Sequence, residues 1–158
     1  YVRETPLEFV AAASYEKWMT RGIPQFGDVL FTTEAPLANV AQLDTSDKVV
    51  FAQRIIIMQA KEEVLDATFL KYLLLSKPVQ DRIHAKGTGA TVKGIKASLL
   101  KLIEIAFPQD IEEQRRIVGK LDKIRDEAKR LESIYTRKLT ALDELKQSLL
   151  HQAFSGQL

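Results

Sequence analysis

Between Lys86 and Lys96 the sequence reads KGTGATVKGIK. Gly87, Gly89 and Gly94 offer backbone N–H groups, Thr88 and Thr91 hydroxyls, and Lys86, Lys93 and Lys96 ammonium groups. All of these donate hydrogen bonds or carry positive charge, which suits them to anionic oxygens. A nucleotide phosphate loop is excluded. It would end in Gly-Lys-Ser/Thr after a hydrophobic strand, whereas Gly94 is followed by Ile95 and no such strand precedes it. Two readings remain: contacts to a DNA backbone with one or two side chains left for base edges, or an ordinary flexible connection.

The charge around the loop favours a polyanion without deciding for it. Lys77, Arg82, Lys86, Lys93, Lys96 and Lys101 share their window with a single acid, Asp81, so the window carries +5 while the whole chain carries only +2. A positive patch concentrates polyanions, although a solvated lysine face has the same composition. Other chemistry is hard to find. His84 and His151 lie in unrelated segments and read as surface or packing residues rather than metal ligands. The acids form no spaced cluster. The absence of cysteine excludes disulfides, zinc thiolates and cysteine nucleophiles, and fits a reducing cytoplasm.

The elements that must position these groups read as mixed α and β over residues 1–109. SYEKWMTRG predicts a short helix with Ser14 as N-cap and Gly22 as its stop. GDVLFTT, NVAQL and VVFAQRIIIMQA predict strands, with Asp44 to Lys48 as a turn. DATFLKYLLLS predicts a helix capped by Asp66, and PVQDRIHAK a second one that Gly87 ends. KLIEIAF alternates like a closing strand. Strands and helices in this order predict an α+β fold, a small mixed sheet-and-helix domain.

Residues 110–158 differ in kind. Asp110 with Glu113 makes a capping-box pattern, and an apolar stripe follows in 4-3 spacing: Ile117, Leu121, Ile124, Ala128, Leu131, Tyr135, Lys138, Leu142, Leu145 and Leu149. Only Lys138 breaks it. Such a narrow stripe predicts one long coiled-coil-forming helix with a partner helix; the bland alternative is a helix lying on its own domain. Gly156 predicts the end of the helix, with Phe154 and Leu158 available to pack. At 158 residues the chain is one ordinary domain plus an appendage, its apolar runs are too short to cross a bilayer, and Tyr1 in first position suggests a fragment of a longer product.

Four ordered blocks, GDVLFTTEAPLANVAQL, FAQRIIIMQ, GTGATVKGI and FPQDIEEQRRIVGKLDKI…LDELKQSLLHQAFSGQL, resemble the specificity subunit of type I restriction-modification enzymes. The resemblance covers nearly the whole chain and is most specific in EQRRIVGKLD and LKQSLLHQAFSGQL. It implies a target recognition domain over 1–109, incomplete at its start, and a conserved long helix over 110–158 that serves as spacer and dimerisation element. It implies a non-catalytic, cytoplasmic, prokaryotic protein that reads one half of a bipartite double-stranded DNA target and docks the modification methyltransferase. The restriction subunit joins through the complex, and no membrane is involved. S-adenosylmethionine, ATP and Mg would belong to those partner subunits, with no cofactor in this chain. Thr32, Thr33, Arg54, Lys86, Thr88, Thr91, Lys93 and Lys96 are the candidate DNA-facing residues. Ile117, Leu121, Ile124, Leu131, Tyr135, Leu142, Leu145 and Leu149 are the candidate helix–helix interface of a homodimer. The competing reading is a coiled-coil assembly module whose truncated head no longer reads DNA. Ala38 stands where the family carries glycine, which puts a tight turn there in question.

Overall fold

The computed structural model describes residues 9–20 and 22–156; the expectation for Leu158 lies outside them. Contacts divide the chain into two compact units, Tyr1–Val118 and Gly119–Leu158. The first is the α+β head, built on a three-stranded antiparallel sheet of order β2-β1-β3. The strands are β1 (Val29–Thr32), β2 (Val40–Gln42) and β3 (Ile55–Met58).

Register decides which side chains reach the core. Phe31 pairs with Val40 and Ile56, and Val29 with Gln42 and Met58. Since alternate residues share a face, Val29, Phe31, Val40, Ile56 and Met58 point to one side. There they meet Leu70 and Leu74 of α2 (Ala67–Leu75) and Val79 and Ile83 of α3 (Lys77–Lys86). Asp66 caps α2 as expected, its Oδ1 accepting from the Phe69 N–H at 2.8 Å. Pro78 sits in the first turn of α3, where a missing N–H costs nothing. The third predicted strand is shorter than its sequence run. Residues 49–54 lie outside the sheet, because the ladder with β1 stops at Thr32 opposite Ile55.

Three expectations need correction. Ser14 does not cap: a 3-10 turn (Ala12–Ser14) runs straight into α1 (Tyr15–Trp18), with Ser14 itself in helical conformation and making no capping hydrogen bond. That helix also ends at Trp18, short of Gly22. KLIEIAF is not a strand. It follows the single turn α4 (Ala97–Leu100), and its alternation records Ile103 and Ile105 packing on the core without a ladder. Its backbone is held from α3 instead, where the Arg82 guanidinium donates to Glu104 O at 2.7 Å. Finally, the tight turn at Ala38 does form, with Ala38 at φ 67. Thr32 organises it: its hydroxyl accepts from Asn39 N–H at 2.9 Å and donates to Pro36 O, and its carbonyl accepts from Ala38 N–H at 2.9 Å. A left-handed alanine costs about 1–2 kcal/mol. Its buried methyl, which joins the core, returns about 0.8 kcal/mol, and alanine loses less chain entropy than glycine on folding, so the site tolerates the exchange.

Helix α5 (Ile111–Phe154) runs 44 residues, roughly 66 Å at about 1.5 Å per residue. Asp110 caps it by accepting from Glu112 N–H at 2.9 Å, and Gly156 at φ 72 ends it. Its first two turns belong to the head. Within them Gln114 is completely buried: its amide nitrogen donates to Val64 O at 3.0 Å and Pro108 O at 2.7 Å, and its Oε1 accepts from Asp66 N–H at 2.9 Å. The second unit is α5 from Gly119 onward. Its stripe residues Ile124, Leu131, Tyr135, Leu142, Leu145 and Leu149 are 45–66% exposed, and Phe154 is 90% exposed. Ion pairs three residues apart, such as Arg125 with Asp122 and Arg130 with Glu127, line the helix and contribute at most tenths of a kcal/mol each. No helix among the described residues is long and apolar enough to cross a membrane.

Candidate nucleic-acid interface

The glycine loop closes on itself. Thr88 and Gly94 exchange both backbone hydrogen bonds, at 2.8 and 2.9 Å, making residues 88–94 a small hairpin. Gly89 holds φ 119, and a Cβ there would lie 2.1 Å from Val92 O, so both backbone and space require glycine. Next to the hairpin, Ile95 is buried in the core and donates its N–H to Thr33 O at 2.9 Å. Gly94 also bridges Glu34. The loop is therefore tied to the end of β1 rather than swinging between helices.

The start of β3 is tied to the same place. Thr33 donates its N–H to Arg54 O at 2.8 Å and its hydroxyl to the same oxygen at 3.1 Å. The Arg54 guanidinium sits 2.8 Å from the Glu34 carboxylate. Thr33, Glu34, Thr88, Val92, Gly94, Ile95 and Lys96 line an open concavity of about 300 Å³. Thr33, Arg54, Thr88 and Lys96, far apart in sequence, thus meet around one acid. Thr91 and Lys93 stand exposed on the hairpin, and Lys86 is exposed at the last turn of α3. Among the described residues the ammonium groups of Lys86, Lys93 and Lys96 have no acidic partner.

Not every candidate has free donors. The Thr32 hydroxyl is spent on the 32–39 turn and the Thr33 hydroxyl on Arg54 O, so these two residues shape the surface through backbone geometry. Two residues escaped the sequence reading. Glu34 lies outside the basic window, and nothing local marks it as the partner of Arg54. Gln114 sits in the charged run EEQRR, where one uncharged amide at the first turn of a helix was the only available signal.

Because the hairpin depends on Gly89, Gly89→Ala should open it. The expected result is rapid hydrogen exchange at the Thr88 and Gly94 amides, with exchange in β1 and α2 unchanged. Protection retained at both amides would show that the loop tolerates a side chain there.

What the site offers is a set of cationic and hydroxyl donors on a backbone tied to the end of β1. Among the described residues, no cluster of three or more histidines and acids is placed to hold a metal.

A family model for the type I restriction modification DNA specificity domain matches residues 20–136. The chain is similar in structure to a type I restriction-modification system S subunit from M. genitalium, with 24% identity and a TM-score of 0.57, covering 71% of this chain and 29% of that one. It is also similar to the HsdS subunit from Thermoanaerobacter tengcongensis, with 25% identity and a TM-score of 0.60, covering 83% of this chain and 33% of that one. It therefore spans about a third of the length of these solved subunits. No curated protein sequence matches the chain. With the family model covering the sheet, the hairpin and more than half of α5, the chain belongs to the type I restriction modification DNA specificity domain family.

Proposed function

We propose that the head reads one half of a bipartite double-stranded DNA target, and that α5 joins it to a second copy and to the modification methyltransferase. The observation that carries this reading is the gathering of Thr33, Arg54, Thr88 and Lys96 beside Lys86 and Lys93, which have no acidic partner among the described residues, at one end of the sheet. The lysines would neutralise phosphates, and the hairpin hydroxyls and amides would fix the register of the backbone. Arg54 would reach base edges only by leaving Glu34, so the pair acts as a selective element rather than a simple anchor. The chain carries no chemistry of its own in this scheme. S-adenosylmethionine, ATP and Mg act in the modification and restriction subunits.

The test is DNA binding across a salt series. Wild type should bind duplex DNA with affinity that falls steeply with salt. The double variant Lys93→Glu/Lys96→Glu should lose about tenfold or more at low salt, and its log–log salt slope should shrink by about two phosphate contacts' worth. Absence of wild-type binding at low salt would leave the assembly-module reading in its place. Co-expression with the modification subunit then reports the target directly: a two-fold dimer should methylate a split palindrome.

A further inference from the structure

One acid stands inside the cationic site. Among the described residues that line its concavity, Glu34 is the only carboxylate, and Lys96 lines the same space. The window from Lys77 to Lys101 carries +5, so Glu34 lowers the attraction of this surface for any phosphate that approaches it. It adds little to folding in return. Its ion pair with Arg54 is open to water, the two side chains being 42% and 64% exposed. Yet the chain makes room for it. No positive φ requires glycine at position 94, but a Cβ there would lie 3.2 Å from Glu34 Cβ and 3.5 Å from its Oε2. Both partners are also held at the backbone, Arg54 by two hydrogen bonds from Thr33 and Glu34 by its bridge to Gly94. We infer that Arg54 and Glu34 together read a G·C base pair from the major groove, and that Glu34 makes the reading selective. This rests on the DNA-reading proposal above and names the base pair for it.

The match lies in the order of donors and acceptors. Along its major-groove edge a G·C pair presents two adjacent acceptors, guanine N7 and O6, and then a donor, the cytosine amino group. O6 and that amino group lie about 2.9 Å apart, because they are hydrogen-bonded to each other. The ion pair presents the complement: a guanidinium fork beside a carboxylate, with Arg54 Nε and Glu34 Oε1 2.8 Å apart. When the pair opens onto this edge, the guanidinium takes N7 and O6, and the released carboxylate accepts from the cytosine amino group. Both charges then have partners. An A·T pair sets a donor between its two acceptors, so the fork engages only one of them. A phosphate satisfies Arg54 alone and leaves Glu34 facing like charge. In either case the closed ion pair is the better state, and Arg54 stays on Glu34. Glu34 thus weakens binding everywhere, and least at G·C.

Selection from a pool of random-sequence duplex DNA at low salt, followed by sequencing, tests this. Wild type should enrich a motif with one invariant G·C pair per head. Arg54→Ala and Glu34→Gln should each lose the preference at that position while keeping the rest of the motif. On the enriched duplex, replacing that guanine by 7-deazaguanine removes the N7 acceptor. The replacement should cost wild type roughly tenfold in affinity and Arg54→Ala almost nothing. On duplex without the motif, Glu34→Gln should bind severalfold tighter than wild type, a gain that a purely structural ion pair would not give. The exchanged variant Glu34→Arg/Arg54→Glu keeps an ion pair with its charges transposed, and should not regain the G·C preference. Three results would each overturn the inference and leave DNA reading standing: a motif indifferent to both single variants, no gain off the motif in Glu34→Gln, or a G·C preference in the exchanged variant. Failure of wild type to bind any duplex at low salt would overturn the DNA reading itself, and the inference with it.

Discussion

Gln114→Ala is expected to destabilise the head by about 3–5 kcal/mol, a large share of the stability of a domain this size. The side chain is fully buried and makes three hydrogen bonds, to Val64 O, Pro108 O and the Asp66 N–H. Alanine leaves two carbonyls and one amide facing a void, each unpaired group costing about 1–3 kcal/mol, less whatever an entering water restores. Gln114→Glu should be worse at neutral pH, because a carboxylate oxygen would then face two carbonyl oxygens where an N–H₂ group had donated. The check is urea denaturation followed at the head, with exposed Gln147→Ala as the control. A loss under about 1 kcal/mol for Gln114→Ala would mean the latch is dispensable.

The second large effect is on assembly. Leu131→Asp together with Leu142→Asp should convert the proposed dimer to a monomer at any practical concentration. Both leucines are exposed in the single chain, at 45% and 62%, so their loss removes little from the protomer's own fold. Helix propensity falls by only tenths of a kcal/mol per site. In the proposed dimer, by contrast, four carboxylates would enter an apolar seam, and unpaired buried charges cost several kcal/mol each. Sedimentation equilibrium reads the result, and circular dichroism shows whether the head survives. A variant that still dimerises would show that the stripe is not the seam.

How far the sequence carried these conclusions varies with the kind of signal. Helices α2, α3 and α5 were legible because their punctuation is local: Asp66, Pro78, Asp110 and Gly156 each act within a turn of the boundary they set. The central strands were legible from branched and aromatic residues. KLIEIAF misled because alternation reports which side chains are buried and says nothing about whether the backbone finds a neighbour. The glycine loop was visible as a set of donors, but its attachment to Thr33 and Glu34 was not, since sequence spacing does not reveal a contact some sixty residues away. Glu34 and Gln114 were hidden for the same reason. The partner of Glu34 lies 20 residues away, and two of the three partners of Gln114 lie about 50 residues away.

If α5 pairs as proposed, its exposed stripe would also make cellular abundance a physical variable for this protein. A helix whose apolar face is covered only in a dimer is protected in proportion to the fraction of chains that are paired. At low expression the segment beyond Gly119 would spend longer alone, fraying and open to proteases, and the surviving heads would lack the means to pair. Newly made copies would then persist only once enough neighbours had accumulated. The seam would work as a quorum for the protein's own survival.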